Sequence, residues 1–124
     1  MLLKNYGAKK KMMFGTKFKQ GDILIVPFPF SELSSIKQRP VLVLSKNNDI
    51  SDDIITCGIT SYLKDAENSI LISNESLNKG NIPQESRIKV DKIFSLEKTI
   101  IKKKIGEINK DTMKKVKAIF INLV

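Results

Sequence analysis

The apolar residues of this chain occur in short runs separated by polar, turn-forming stretches, a pattern typical of β-strands. Such runs predict strands at residues 23–26, 41–45, 54–60, 69–73, 87–96 and within 99–108. The first run, Ile-Leu-Ile-Val, does not alternate with polar residues, so we expect it to be buried on both faces. Pro27 and Pro29 follow this run and lack a backbone N–H. The strand must therefore end there, bulge, or lie along an edge of the sheet.

Two of the runs contain interruptions that predict local distortions. Gly58 lies inside the 54–60 run and indicates a bulge or a close backbone approach. In the 87–96 run the alternation shifts before Ile93, which predicts a bend in that strand. The stretches between the runs are polar or weakly periodic, and they predict loops at residues 31–39, 46–53 and 74–83.

The C-terminal segment repeats apolar residues at intervals of three and four, which is the spacing of one helix face. The repeating residues are Met113, Val116, Phe120 and Leu123. Asn109 precedes them as a candidate N-cap, and Asp111 follows where a negative charge stabilises a first helical turn. Short strands with one terminal helix predict a mainly β fold with a C-terminal helix (α+β), built as a small, strongly bent antiparallel β-barrel.

The length and charge of the chain set its domain organisation and its class of partner. It has 124 residues and a formal net charge of +9, and lysine supplies 20 of its 22 basic residues. One domain at residues 17–124 fits this length, preceded by a lysine-containing tail at 1–16 that we expect to be disordered. The positive charge favours a polyanion or an acidic protein as partner. The chain has no apolar run of about 18 residues and no signal-peptide pattern, so we expect a soluble cytoplasmic protein that does not bind membranes.

The absence of histidine and the single cysteine exclude several kinds of site. A structural zinc site, a Ser-His or Cys-His nucleophile pair and a histidine-based ribonuclease all require residues that the chain lacks. Cys57 has no intrachain partner, which indicates a reducing compartment. Because it lies in an apolar run, we expect a buried thiol.

Arg39 is one of only two arginines and directly precedes Pro40. Proline restricts the preceding residue to extended conformations, so the Arg39 side chain is held at the entrance to a strand. A guanidinium there could bind a phosphate through two hydrogen bonds. The alternative is a surface arginine that forms an ion pair with Glu32 or Asp22.

Polar side chains at two other strand positions are candidates for chemistry. Thr60 and Ser61 end the third run, where their hydroxyls could donate to a phosphoryl oxygen; the alternative is a turn that ends the strand. Asp91 could act as a general base, or it could be a solvent-facing charge paired with Lys89 or Lys92. A further acidic group, Asp49, Asp52 and Asp53, could bind magnesium or form a solvated loop.

Several segments, in this order, resemble the toxins of the MazF/PemK family of bacterial type II toxin–antitoxin modules. They are GDILIVPFPF, KQRPVLVLS and ITCGITS, then ESRIKVDKIFSLEK and IIKKKIGEIN before the terminal helix. The resemblance covers about residues 18–124. It implies an SH3-like barrel that acts as a homodimer and is neutralised by a cognate antitoxin protein. It also implies a sequence-specific endoribonuclease that cleaves single-stranded RNA with no metal or other cofactor, through attack by the RNA's own 2′-hydroxyl.

The resemblance also assigns roles to individual residues. The family's catalytic arginine, which precedes a proline, falls on Arg39, and its catalytic threonine falls on Thr60. An acidic residue that some members use as a base or acid falls on Asp91. The substrate-binding residues would be Lys37, Gln38, Ser61 and Lys89. The segment before Arg39 lacks the Gly-Ser-Glu-Gln pattern of the best-known members, so their RNA contacts do not carry over.

Three alternatives to an RNA-cleaving enzyme remain open at the level of sequence. One is a toxin of the same fold that inhibits DNA gyrase by protein–protein contact and needs no Arg-Thr pair. Another is a catalytically silent RNA-binding relative, for which the lysine excess would suffice. The last is a metal-dependent nuclease built on the acidic group at residues 49–53.

Overall fold

The computed structural model describes residues 17–29, 36–46 and 48–124, so the expected tail at 1–16 and loop residues 31–35 lie outside the described residues. Seven strands form one strongly curled antiparallel sheet, a half-barrel, with a helix after the last strand. They are β1 (Asp22–Pro29), β2 (Ile36–Val43), β3 (Asp53–Thr60), β4 (Ser69–Ile72), β5 (Leu77–Gly80), β6 (Ser86–Glu97), β7 (Lys103–Ile108) and α1 (Lys110–Leu123). Their order across the sheet is β4-β6-β3-β2-β1-β7-β5. The predicted mainly β fold with a C-terminal helix is confirmed.

Strand β1 is buried on both faces, as its unbroken apolar run predicts. Ile23 belongs to one hydrophobic cluster, and Leu24, which points to the opposite face, belongs to a second. The pairing of β1 with β7 ends at Ile25, whereas its pairing with β2 continues to Pro29. The carbonyl of Ile25 accepts a hydrogen bond from the β7 side. Residues two apart on a strand direct their backbone groups to the same side, so the backbone nitrogens of Pro27 and Pro29 also face that side, where the pairing with β7 has ended. The prolines therefore lie along an edge, as expected.

The two hydrophobic clusters occupy opposite faces of the central strands. The cluster under α1 includes Ile23, Leu42, Cys57, Ile59, Ile72, Ile88, Val90 and Val116. The other contains Phe18, Leu24, Val26, Val41, Val43, Ile54, Leu96 and Ile101, with Phe94 packed against it. Neighbouring residues of β2 alternate between the clusters, as the two-residue period of a strand requires. The central strands therefore separate the two clusters. The face that carries the second cluster also carries Arg39, which lies two residues before Val41 on β2.

Two segments predicted to be loops contain strand. Residues 36–39 belong to β2 because they pair with Val26 to Pro29 of β1. Residues 77–80 form β5, which pairs with β7 and follows a short 3-10 turn at Asn74–Ser76. Both predictions of a loop are wrong for the same reason: pairing with another strand makes these residues extended, and their own sequence has no apolar periodicity.

The predicted distortions of β3 and β6 occur opposite each other. Cys57 pairs with Ile93, but the next residue, Gly58, pairs with Lys89. Residues 90–92 therefore have no partner on β3, and β6 bulges at this point. The bulge that Gly58 predicts and the bend before Ile93 are the same feature. A Cβ at Gly58 would meet its nearest neighbour at 3.7 Å, so no close backbone approach exists there.

Helix α1 begins where the sequence predicts. The Asn109 side-chain oxygen accepts a hydrogen bond of 2.9 Å from the Thr112 N–H, and Asp111 lies in the first turn. Val116, in the predicted apolar stripe, is fully buried against the sheet. Within the described part of the chain, no helix is both long and apolar enough to cross a membrane.

Candidate active site beside the bulge of β6

A concave pocket of about 630 Å³ lies where β2, β3 and β6 meet. Its lining residues are Arg39, Pro40, Val41, Gly58, Ile59, Thr60, Tyr62, Lys89, Asp91, Lys92, Ile93 and Phe94. The pocket therefore brings together the four sequence candidates that carry chemistry: Arg39, Thr60, Lys89 and Asp91. The rest of the lining comes from mainly apolar residues of β2, β3 and β6, with Tyr62 and Lys92. A mostly apolar concavity with a few convergent polar groups is a common form of binding site.

Arg39 lies on β2, opposite Val26 of β1, and is partly exposed. The adjacent Pro40 lies at the end of the β2–β3 ladder, whose last pair is Val41 with Gly58. The Val43 carbonyl accepts from Gly21 before β1, and the Leu44 N–H donates to Ile55 of β3. In this part of β2 the backbone N–H and C=O groups of odd-numbered residues therefore point toward β1, and those of even-numbered residues point toward β3. Pro40 therefore lacks the N–H that would donate to β3, which ends the ladder.

The alternative that Arg39 pairs with Asp22 is wrong. Asp22 is fully buried at the other end of β1, where its Oδ1 lies 3.0 Å from Nζ of Lys104 and its Oδ2 accepts from the Lys19 N–H. The other suggested partner, Glu32, lies outside the described residues.

Thr60 is the last residue of β3. Continuing the β2–β3 register two residues past its last pair places Thr60 across from Arg39. Its Oγ1 accepts a hydrogen bond of 3.1 Å from the Tyr62 N–H, so the hydroxyl does help to end the strand. That bond uses an oxygen lone pair and leaves the hydroxyl proton free to donate elsewhere. The structural role and donation to a ligand are therefore compatible.

Lys89 and Asp91 reach the pocket from the bulged part of β6. Val90 between them is fully buried in the cluster under α1, so the side chains of residues 89 and 91 point to the opposite, pocket face. Asp91 is exposed and takes part in no ion pair among the described residues. Asp91 is therefore solvent-facing, as the alternative to a general base expects, but it forms no ion pair with Lys89 or Lys92.

Cys57 lies behind the pocket and is fully buried. Burial raises the pKa of its thiol to about 12, with a smaller contribution from the negative charge of Asp91. The thiol is therefore protonated and unreactive at neutral pH. This confirms the expected buried core thiol.

Three predicted substrate-binding residues do not line the pocket. Lys37, Gln38 and Ser61 are all exposed. Lys37 shares the face of β2 that carries Arg39, whereas Gln38 points to the other face. Ser61 directly follows β3. These residues could contact only parts of a ligand that extend beyond the pocket.

Several residues of the pocket are not among the candidates that the sequence predicts. Tyr62 and Phe94 line the pocket with aromatic rings, and Lys92 adds a cation. The position of Tyr62, two residues after a candidate catalytic threonine in a polar segment, was a signal for it. Lys92 and Phe94 enter the site through the bulge, which the sequence predicts only as a bend.

Carboxylates of the described chain do not converge to bind a metal. Among residues 17–29, 36–46 and 48–124, no three aspartate, glutamate or cysteine side chains form a group that could hold a metal ion. Asp49 and Asp52 lie in the β2–β3 loop and Asp53 is the first residue of β3; all three are exposed. The proposed magnesium site at these residues therefore has no geometric support.

Comparison with known proteins identifies the family. Residues 19–124 match the PemK-like, MazF-like toxins of type II toxin–antitoxin systems. No functionally curated protein matches the chain by sequence.

Solved structures share the fold at low sequence identity. A mycobacterial endoribonuclease in complex with its cognate antitoxin is 17% identical, with a TM-score of 0.69 over 86% of this chain and 93% of the other. MazF in a MazE–MazF complex from Deinococcus radiodurans is 18% identical, with a TM-score of 0.69 over 86% and 94%. The Mycobacterium tuberculosis toxin MazF-mt6 is 16% identical, with a TM-score of 0.66 over 82% and 93%. On the family match over most of its length, this chain belongs to the PemK-like, MazF-like toxins of type II toxin–antitoxin systems.

Proposed function

We propose that this toxin is a metal-independent, sequence-specific endoribonuclease that cleaves single-stranded RNA. The observation that carries the proposal is the convergence of Arg39, Thr60 and Asp91 on one pocket. These residues supply a guanidinium, a hydroxyl and a carboxylate. They meet the requirements of RNA cleavage in a chain that has no histidine. Similarity in fold to a mycobacterial endoribonuclease supports the same activity.

RNA contains its own nucleophile, so the protein need only align it and stabilise charge. The 2′-oxygen attacks the adjacent phosphorus as the bond from phosphorus to the 5′-oxygen breaks. The products are a 2′,3′-cyclic phosphate and a 5′-hydroxyl. In this mechanism Asp91 accepts the 2′-hydroxyl proton. The leaving 5′-oxygen takes a proton from water beside Arg39, and Asp91 then releases its proton to water, so that the protons balance.

Arg39 and Thr60 act on the phosphoryl group itself. The planar guanidinium of Arg39 binds two phosphoryl oxygens and stabilises the charge that develops on them in the transition state. The Thr60 hydroxyl donates to one of these oxygens and is already oriented by its bond from the Tyr62 N–H. Lys89 and Lys92 add positive charge along the path of the strand.

The remaining family properties complete the proposal. We infer that the toxin works in the cytoplasm as a homodimer and that a cognate antitoxin protein blocks it. The solved complex of MazE with MazF, whose fold this chain shares, supports an antitoxin partner.

Incubation with a long single-stranded RNA in excess chelator tests the proposal. The matched variants are Arg39→Ala, Arg39→Lys and Lys103→Ala, the last removing an exposed charge on β7 outside the pocket. We expect the wild type and Lys103→Ala to cut at one short motif and leave cyclic-phosphate ends. Removal of a transition-state donor typically costs about 100-fold to 1,000-fold in rate, so we expect that loss for Arg39→Ala and a partial loss for Arg39→Lys.

Two results would contradict the proposal. Wild-type rates for a folded Arg39→Ala variant would remove Arg39 from the mechanism. Intact RNA with folded wild-type protein would indicate a toxin that acts without RNA cleavage, and gyrase inhibition would then be measured.

A further inference from the structure

Tyr62 places a large aromatic ring at the pocket with most of its surface in water. The residue is 68% exposed, although it lines the pocket. An aromatic side chain buries a large apolar area, so one left in water at the edge of a pocket is suited to a ligand that covers it.

Arg87 forms hydrogen bonds that hold the backbone segment next to Tyr62. The Arg87 Nε donates to the Leu63 carbonyl at 3.0 Å, and its Nη1 donates to Oγ of Ser69 at 3.1 Å. The same Nη1 lies 3.4 Å from a carboxylate oxygen of Asp65. Only 13% of the Arg87 side chain is exposed, although Asp65 is itself 90% exposed and the bond to the Leu63 carbonyl lies at the surface.

Other hydrogen bonds complete this support of the segment after β3. Ser69 Oγ donates to the Ala66 carbonyl at 2.6 Å, and the Tyr62 N–H is bound to Oγ1 of Thr60. Tyr62 is therefore held from the strand on one side and through the Leu63 carbonyl on the other. The backbone at Tyr62 is therefore ordered before a ligand binds, which removes that part of the entropic cost of binding.

We propose that Tyr62 is the base-stacking residue of this site and that Arg87 is its positioning residue. The inference rests on the proposed function and deepens it by naming a residue that binds a base of the RNA near the reacting phosphate. Two residues of chain span at most about 7 Å. A base on Tyr62 therefore belongs to a nucleotide close to the phosphate that Thr60 binds.

The charges around the ring favour a nucleic acid over an acidic peptide. Lys89, Lys92 and Arg39 line the same pocket and would contact phosphates spaced along a strand. Every base has a flat face that can stack on an aromatic ring, and such stacking typically changes affinity by about 5-fold to 150-fold. A peptide would use the cations but would not need an exposed ring in this position.

The tyrosine content of the chain allows a direct test by fluorescence. Tyr6 and Tyr62 are its only tyrosines, and it has no tryptophan, so in a Tyr6→Phe background all tyrosine emission comes from Tyr62. The probes are a short single-stranded thymidine homopolymer and the same deoxyribose-phosphate backbone without bases. Neither has a 2′-hydroxyl, so neither can be cleaved by the proposed route. We expect the thymidine strand to quench the emission and the abasic strand to leave it unchanged at saturation.

Affinities of variants for the two strands separate stacking from charge. We expect Tyr62→Leu to bind the thymidine strand at least 5-fold more weakly than wild type, Tyr62→Phe to bind it normally, and all three to bind the abasic strand equally. Arg87→Met should weaken thymidine binding, and the double variant with Tyr62→Leu should be no weaker than Tyr62→Leu alone. If Arg87 only stabilised the fold, the double variant would bind the thymidine strand more weakly than Tyr62→Leu alone. Chemical denaturation would then also show a lower free energy of unfolding for Arg87→Met.

The outcomes distinguish this inference from the proposed function. Unchanged emission at saturation, or equal thymidine affinity for Tyr62→Leu and wild type, overturns the stacking assignment even if Arg39 proves essential for cleavage. Failure of wild type to bind either strand overturns the inference and indicates a protein ligand for the ring. Base-dependent quenching in a protein that leaves RNA intact would support Tyr62 while refuting the enzyme.

Discussion

Replacement of Gly58 by larger residues should separate the stability of this fold from its activity. A Cβ at Gly58 would lie 3.7 Å from Cβ of Lys92 and 4.0 Å from Cε1 of Phe94, which are ordinary contact distances. The φ angle of Gly58 is not in the left-handed region, so alanine meets neither strain nor a clash. Alanine also restricts the unfolded chain. We therefore expect Gly58→Ala to raise the free energy of unfolding by about 0.4–1 kcal/mol.

The same substitutions should reduce activity because the new side chain enters the pocket. Gly58, Lys92 and Phe94 all line it, between the strand that carries Arg39 and the bulge that carries Asp91. Alanine adds one carbon, whereas valine and leucine add further carbons that reach into the space for the substrate. Displacement of a substrate by about 1 Å can cost about 100-fold in rate. We expect a small loss for alanine and about a 100-fold loss for leucine.

Chemical denaturation and cleavage of a short RNA that contains the mapped cut site would measure the two effects on the same preparations. Ile55→Leu is the control, because Ile55 lies on the same strand, is 47% exposed and does not line the pocket. A destabilised alanine variant would refute the steric reasoning. A folded leucine variant that cleaves at the wild-type rate would show that the chemistry takes place elsewhere.

Two further predictions concern the packing and charge of the sheet. Gly80 has a φ of +78°, and a Cβ there would lie 2.1 Å from the Ile105 carbonyl oxygen, so Gly80→Ala should lower the free energy of unfolding by about 3 kcal/mol or more. Gly21→Ala is the control: Gly21 has a φ of +97°, but a Cβ there would meet its nearest neighbour at 3.6 Å, so the free energy of unfolding should fall by only about 1–2 kcal/mol. If chemical denaturation gave equal losses for the two variants, the predicted clash at Gly80 would be refuted. Hydrogen bonding from Lys19, and then from Asn78, lowers the pKa of Glu107 to about 2. The ionised Glu107 therefore makes its full contribution to the free energy of unfolding above pH 4.5, and this contribution is lost as the pH falls from about 4.5 to 2. Since Lys19 is 57% exposed, we expect that loss to be about 1–2 kcal/mol, and urea titrations of Glu107→Gln across this range should lack it.

Local sequence patterns predict the parts of the fold whose burial is set by their own residues. The strand at 23–26, the bend before Ile93 and the helix cap at Asn109 all depend on side chains within a few residues. Strand β5 escapes prediction because Leu-Asn-Lys-Gly has almost no apolar pattern and is held by β7. Its Gly80, where an added Cβ would strike the β7 backbone, has a conformational role that only the distant partner reveals.

The candidate site is predictable only in part, and mainly by resemblance. Arg39 and Thr60 follow from the family motifs that surround them, whereas their local sequence alone favours a structural explanation. Lys92 joins the pocket because the β6 bulge turns it there, and the pattern of apolar residues gives no measure of how far a bulge rotates a side chain. Lys37 and Gln38 are neighbours of Arg39 in sequence, but neither lines the pocket.

The distribution of ion pairs explains how one lysine-rich chain serves both stability and binding. At the start of β1 the buried Asp22 and Glu107 are matched by Lys104, which lies 3.0 Å and 3.6 Å from them. A buried carboxylate without such a partner would cost several kcal/mol, so these charges must be paired inside the protein. Lys89 and Lys92 have no ion-pair partner among the described residues, and they lie where the pocket meets water. They lie beside Arg39 in the same pocket, so their positive charge favours a polyanionic ligand there.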